Sequence, residues 1–116
     1  MNLSAVVDTG VLLGYLQGEP ACAEALAPYP HWAISLVSWL EVMAQCPADL
    51  LERTRGVLRR CERLSVSEAI ADDALQLMRQ HPQLAFNRAL VAATARSNRL
   101  PLLLLGEGGR PQCRLP

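Results

Sequence analysis

The sequence contains no lysine: all eleven basic residues are arginine, and eleven acidic residues balance them. With a formal net charge of zero, bulk attraction to a polyanion is excluded, and any nucleic-acid contact has to come from local clustering. Aromatic residues make up only 4% of the chain, so Leu, Val, Ile and Ala must build the core. Cys22, Cys46, Cys61 and Cys113 form no C-x-x-C pair, and His31 and His81 stand alone. That scatter excludes zinc-ligand spacing and reads as free thiols in a reducing cytoplasm. The longest apolar run that suits a strand, Leu102 to Leu105, is far below the ~20 residues that span a bilayer. The N-terminus lacks a basic region and meets an acid at Asp8, so no secretory leader is expected. A cytoplasmic protein without a membrane partner follows as the expectation.

What is present is a sequence of 116 residues, 51% hydrophobic and 19% charged, which suits one folded domain rather than disorder. A short apolar run, Leu3 to Val7, meets Asp8-Thr9-Gly10 and passes into a helical stretch, Val11 to Leu16. Pro20 opens a short helix carrying Cys22 to Ala27, and Pro28-Tyr29-Pro30 forms a loop. Trp32 to Ser35 reads as a second strand, followed by a helix over Ser38 to Gln45. A longer helix is expected from Ala48 to Arg63, with Leu50, Val57, Leu58 and Cys61 on one face and Arg53, Arg59, Arg60 and Arg63 on the other. Leu64 to Val66 is a weak strand candidate, and Ser67 caps a helix over Glu68 to Gln80. Asn87 to Ser97 reads as a helix whose small residues, Ala89, Ala92, Ala93 and Ala95, suit close packing on a sheet. Leu102 to Leu105 suits a strand covered on both faces. Strands alternating with helices imply an α/β fold, a three-layer α/β/α sandwich around a short parallel sheet, helix-rich. One domain over residues 1–105 and a loose tail over 106–116 complete the outline.

In such sheets ligands sit at the carboxyl ends of the strands, which directs attention to Asp8. Asp8 suits a carboxylate that binds a hard cation such as Mg²⁺, and equally an N-cap for the helix behind it. Glu41 lies three residues after Ser38, which is a capping-box spacing, but a helix starting at the same sheet edge would also swing it toward Asp8. Two close carboxylates repel, and a divalent cation relieves that repulsion. The single Gly10 after the first strand is not a phosphate-binding Gly-rich pattern.

Three stretches resemble the signatures of PIN domains, most nearly the VapC-type toxins of bacterial toxin–antitoxin pairs. They are Ala5 to Leu12 around Asp8, Ala33 to Glu41 with Ser38 three residues before the acid, and Ala89 to Ala95 followed by Leu100-Pro101-Leu102. The resemblance runs from about Leu3 to Leu105. It implies Mg²⁺- or Mn²⁺-dependent hydrolysis of RNA phosphodiesters, a homodimer, and an antitoxin-like protein partner. It also implies that Asp8 and Glu41 are the first two metal-site acids, supported by the hydroxyls of Thr9 and Ser38.

The departures from that pattern are specific. The family's third acid falls on Arg88, preceded by Asn87; the fourth acidic region reads Gly106-Glu107-Gly108-Gly109; and a familiar Asn is replaced by Gly10. Exchanging a carboxylate for a guanidinium changes the local charge by about two units. At ~4 Å and an effective dielectric near 20, each unit interaction is worth roughly 4 kcal/mol before screening. The expectation is an internal salt bridge of Arg88 with Asp8 and Glu41 in place of the metal, leaving activity impaired. The alternative turns Arg88 outward, with Asn87 or Glu107 completing a weaker site. Arg53, Arg59, Arg60 and Arg63 read either as an RNA-tracking face or, with Glu52 and Glu62 among them, as an ordinary solvated one. An enzyme with a degraded site and a catalytically inactive RNA- or protein-binding module are the two functions the sequence leaves open.

Overall fold

A computed structural model describes residues 3–116; Met1 and Asn2, where the absence of a leader was argued, lie outside them. Strand β1 (Ser4–Val7) runs into helix α1 (Thr9–Leu16), and α2 (Pro20–Leu26) returns the chain to β2 (His31–Ser35). Then follow α3 (Leu36–Gln45), a single 3₁₀ turn, α4 (Leu51–Arg59), β3 (Glu62–Leu64), α5 (Glu68–Gln80), α6 (Phe86–Ser97), β4 (Leu102–Leu105) and β5 (Pro111–Arg114). The sheet order is β3-β2-β1-β4-β5. The first four strands are parallel, and β5 pairs antiparallel with β4. The strand order reverses at β1, so the cleft at its carboxyl end is where a ligand is expected.

Alternation along the buried strands divides the core. Ala5, Val7 and Leu103 face a layer that includes Val11, Leu12, Leu26 and Val42, whereas Val6, Leu102 and Leu104 face Val91 and Ala95 of α6. Both faces are covered, which is why the central strands read as unbroken apolar runs. The small residues of α6 serve two contacts rather than one. Ala92 and Ala95 lie on the sheet, but Ala89 and Ala93 pack against Ile70 and Ala74 of α5.

Two expectations fail for identifiable reasons. The helix expected from Ala48 to Arg63 ends at Arg59, because Glu62, Arg63 and Leu64 pair with Ala33, Ile34 and Ser35 and give β2 its outer neighbour. Strand pairing outweighs a helical periodicity whose apolar spacing continues through Cys61, beyond the end of the helix. The tail over 106–116 is not loose. Gly108 and Gly109 take positive φ angles of 69° and 71°, a turn that strongly favours glycine, and the chain comes back as β5 with Leu102 opposite Arg114 and Leu105 opposite Pro111.

Among the described residues all four cysteines are free, and no helix is long and apolar enough to cross a membrane. Burial pushes the Cys61 thiol up to about 11, which suits a packing role.

Candidate functional site

Asp8 ends β1. Its backbone N–H donates to Leu103 O at 2.9 Å, and its carbonyl accepts from Leu12 N at 3.1 Å, so sheet and helix both fix its main chain. It stands in the N-cap place of α1, yet its side chain makes no cap hydrogen bond. The residue is buried, with 8% of its surface exposed. Burial raises its pKa; the Thr9 N–H and the positive charge of Arg88 pull it down, the charge of Glu41 raises it, and the net effect is upward.

Glu41 is held away from its own helix end. The N-cap of α3 is Ser35, whose Oγ accepts from Val37 N at 3.1 Å, so the capping-box reading of Ser38 and Glu41 is overturned. Glu41 lies in the second turn and reaches across elements: Thr9 Oγ1 donates to its Oε1 and Asn87 Nδ2 to its Oε2, each at 2.8 Å. Asn87 in turn accepts from Arg88 N at 3.0 Å through Oδ1. The structure therefore gathers Asp8, Thr9, Glu41 and Asn87 at one end of the parallel strands, from α1, α3 and α6. Ser38, one turn before Glu41, is fully buried, and its hydroxyl has no hydrogen-bond partner among the described residues.

Gly10, where the family pattern has Asn, lies against β4. A Cβ there would meet Leu105 Cδ1 at 2.8 Å, so the missing side chain lets α1 start hard against the sheet.

Arg88 does not behave as expected. It is exposed and shares a cleft with Asp8, close enough for its charge to be felt there, but it forms no ion pair with Asp8 or Glu41 among the described residues. Its position at the start of α6 leaves the neighbouring Asn87 to reach Glu41, and the guanidinium stays at the cleft rim in solvent. Glu107 is exposed on the β4–β5 hairpin and joins no group of three or more potential metal-binding side chains among the described residues.

The donor set does not fit a resident divalent cation. Mg²⁺ and Mn²⁺ prefer free oxygen ligands in a defined octahedron. Here each Glu41 oxygen accepts one hydrogen bond and keeps a second lone pair, but no third acid joins Asp8 and Glu41 among the described residues, and a guanidinium adds positive charge beside Asp8.

The four arginines expected on one helical face are divided. Arg53, Arg59 and Arg60 belong to α4 and its end, whereas Arg63 lies on β3 with its guanidinium 4.6 Å from the centre of the Trp39 ring. Arg59 and Arg63, with Arg55, line a second cleft that shares no residue with that of Asp8. The Asp8 cleft has a volume of about 460 Å³ and includes His81, which the sequence reading set aside as a lone histidine, and two polar residues that it passed over, Gln83 and Arg114. Arg114 was hidden because Pro111 to Arg114 has no apolar alternation to announce a strand.

The family model for the PIN domain matches residues 5–108. No curated protein matches the chain. Among solved structures, a toxin–antitoxin complex from Klebsiella pneumoniae is similar at 30% identity and a TM-score of 0.83, over 90% of this chain and 88% of that one. VapBC2 from Rickettsia felis, bound to a promoter DNA fragment, is 18% identical with a TM-score of 0.69, over 90% of this chain and 89% of that one. FitAcB from Neisseria gonorrhoeae is 17% identical with a TM-score of 0.67, over the same shares of 90% and 89%. The last two likenesses bear on fold alone, but the family model spans the four parallel strands from Ala5 onward and the four gathered site residues, and on that match the chain belongs to the PIN domain family.

Proposed function

We propose that the chain is a toxin-type PIN domain that engages RNA and an antitoxin-like partner, works as a homodimer, and hydrolyses RNA phosphodiesters only weakly. The observation that carries this reading is the hydrogen-bonded row Thr9–Glu41–Asn87 beside buried Asp8. Two of the four acids, Asp8 and Glu41, are kept, the third is replaced by the guanidinium of Arg88, and the fourth falls in the glycine-rich Gly106–Gly109 turn. Clustered carboxylates would hold a metal that activates water and neutralises phosphate charge, and with Arg88 at the third acid's place and Gly106-Glu107-Gly108-Gly109 at the fourth that chemistry is starved of ligands. The antitoxin partner is supported by the Klebsiella pneumoniae relative, which is itself a toxin–antitoxin complex. The guanidinium of Arg88 in the cleft of Asp8, without a third acid among the described residues, favours a second reading in which binding is retained and cleavage lost.

Cleavage of single-stranded RNA in Mn²⁺ tests this. The native protein is expected to cut slowly, Asp8→Asn to abolish cutting, and Arg88→Asp to raise the rate about tenfold or more by restoring an acid. Efficient cutting by the native protein that Arg88→Asp leaves unchanged overturns the impaired-site reading. No cutting by any variant, with RNA still bound, selects the binding module.

A further inference from the structure

Strand β5 brings to the cleft a residue that lies beyond the stretch matched by the family model, which ends at residue 108. Arg114 is paired opposite Leu102, and cross-strand partners project to the same face of a sheet. Leu102 and Leu104 face α6, so Arg114 stands on that side too, across the cleft from Arg88 on α6 itself. Neither guanidinium has a carboxylate partner among the described residues, where the ion pairs are Arg55–Glu52 and Arg96–Asp73. Asp8 is the one acid that lines this cleft, against two arginines, with His81 and Gln83 as further hydrogen-bonding groups and a floor of Leu102, Leu104 and Val91. Two guanidinium groups lining one cleft over an apolar floor match the charge of a phosphate group, and the planar fork of each suits its oxygens.

We infer that Arg88 and Arg114 clamp a phosphate of a single-stranded RNA directly, without a divalent cation, in the cleft between α6 and the β4–β5 ribbon. A strand is favoured over a lone phosphate by continuity. Arg114, Leu77, Ala92 and Leu102 also line an adjoining cleft of about 270 Å³ that includes Arg96 and Leu100, so the groove continues past a single anion. The inference rests on RNA being the ligand of this family member and adds how it is held: guanidinium charge stands where metal charge would otherwise meet the backbone.

Fluorescence anisotropy of a labelled short oligouridylate, in EDTA and across a salt series, reads this directly. Arg114→Gln and Arg88→Gln are each expected to weaken binding roughly tenfold and to reduce the log–log salt slope by about 0.7, as for one lost contact to a single strand. Arg110→Gln, on the exposed hairpin outside the cleft, serves as the control that keeps native affinity. Equal binding of 5′-hydroxyl and 5′-phosphorylated strands assigns the clamp to internal phosphodiesters. Preference for the phosphorylated strand, with displacement by inorganic phosphate, assigns it to a terminal phosphate. Native affinity in both arginine variants, binding that appears only on adding Mg²⁺, or displacement by a polyglutamate peptide at equal concentration overturns the proposal. Cleavage in Mn²⁺ reports the site reading and binding in EDTA reports the clamp, so either can fail without the other.

Discussion

At the scale of single residues, Asp8 is a buried acid with a second acid close by. Its carboxyl is buried, no cap hydrogen bond reaches its side chain, and Glu41 lies nearby, so its folded pKa is raised above the unfolded value. The folded state then holds the proton more tightly than the unfolded state. The contribution of Asp8 to stability is greatest below the unfolded carboxyl pKa of ~3.9 and is lost as pH rises through the higher folded value. Asp8→Asn, which removes the charge and keeps the shape, is expected to stabilise the protein by on the order of 1 kcal/mol at neutral pH, with the gain vanishing in acid. Urea denaturation of both proteins across pH checks this, and a destabilised variant at neutral pH refutes it. The sequence made Asp8 and Glu41 legible as a converging pair because motif order and strand-end position both pointed there. It could not show that Asn87 would spend its amide on Glu41 while Arg88 stayed at the rim. Those outcomes depend on where the first turn of α6 lands against α3, and no local pattern encodes that contact.

At the scale of elements, local patterns succeeded where they agreed with tertiary pairing. Ser67 caps α5 as its sequence suggests, its Oγ accepting from Ile70 N at 3.2 Å. At α3 the same logic chose the wrong serine, because Ser38 and Glu41 have capping-box spacing while the helix begins one turn earlier at Ser35. The two serines make opposite predictions. Ser35→Ala removes a hydrogen bond to an otherwise free helix N–H and should cost about 1 kcal/mol. Ser38→Ala removes a buried hydroxyl without a partner and should be neutral or slightly stabilising. Paired thermal melts distinguish the two, and equal losses would mean that Ser38 has a buried partner such as water. The long helix expected through Arg63 failed for a related reason. Its apolar spacing continued through Cys61, but β2 lacked an outer neighbour, and pairing with Glu62 to Leu64 supplied one.

At the scale of the whole molecule, the parallel core was readable because its strands are apolar on both faces, whereas β5 was not, being short, polar and begun by proline. Its contribution is measurable. Four cross-strand pairs at roughly 0.2–1 kcal/mol each suggest that deleting residues 111–116 costs about 2 kcal/mol. The deletion also bares the leucine-rich edge of β4, so light scattering should rise along with the fall in urea midpoint. A truncated chain that melts like the full one would mean that β5 adds no stability to the fold.

The two margins of the sheet have a consequence for assembly. On one side lies a strand of three residues that exposes Glu62 and Arg63; on the other, a strand that begins with Pro111 and ends with Arg114. Short length, charge and proline each discourage a neighbouring chain from adding itself to the ladder. A second copy is therefore turned away from the sheet's rims, and edge-to-edge growth into a fibre is disfavoured.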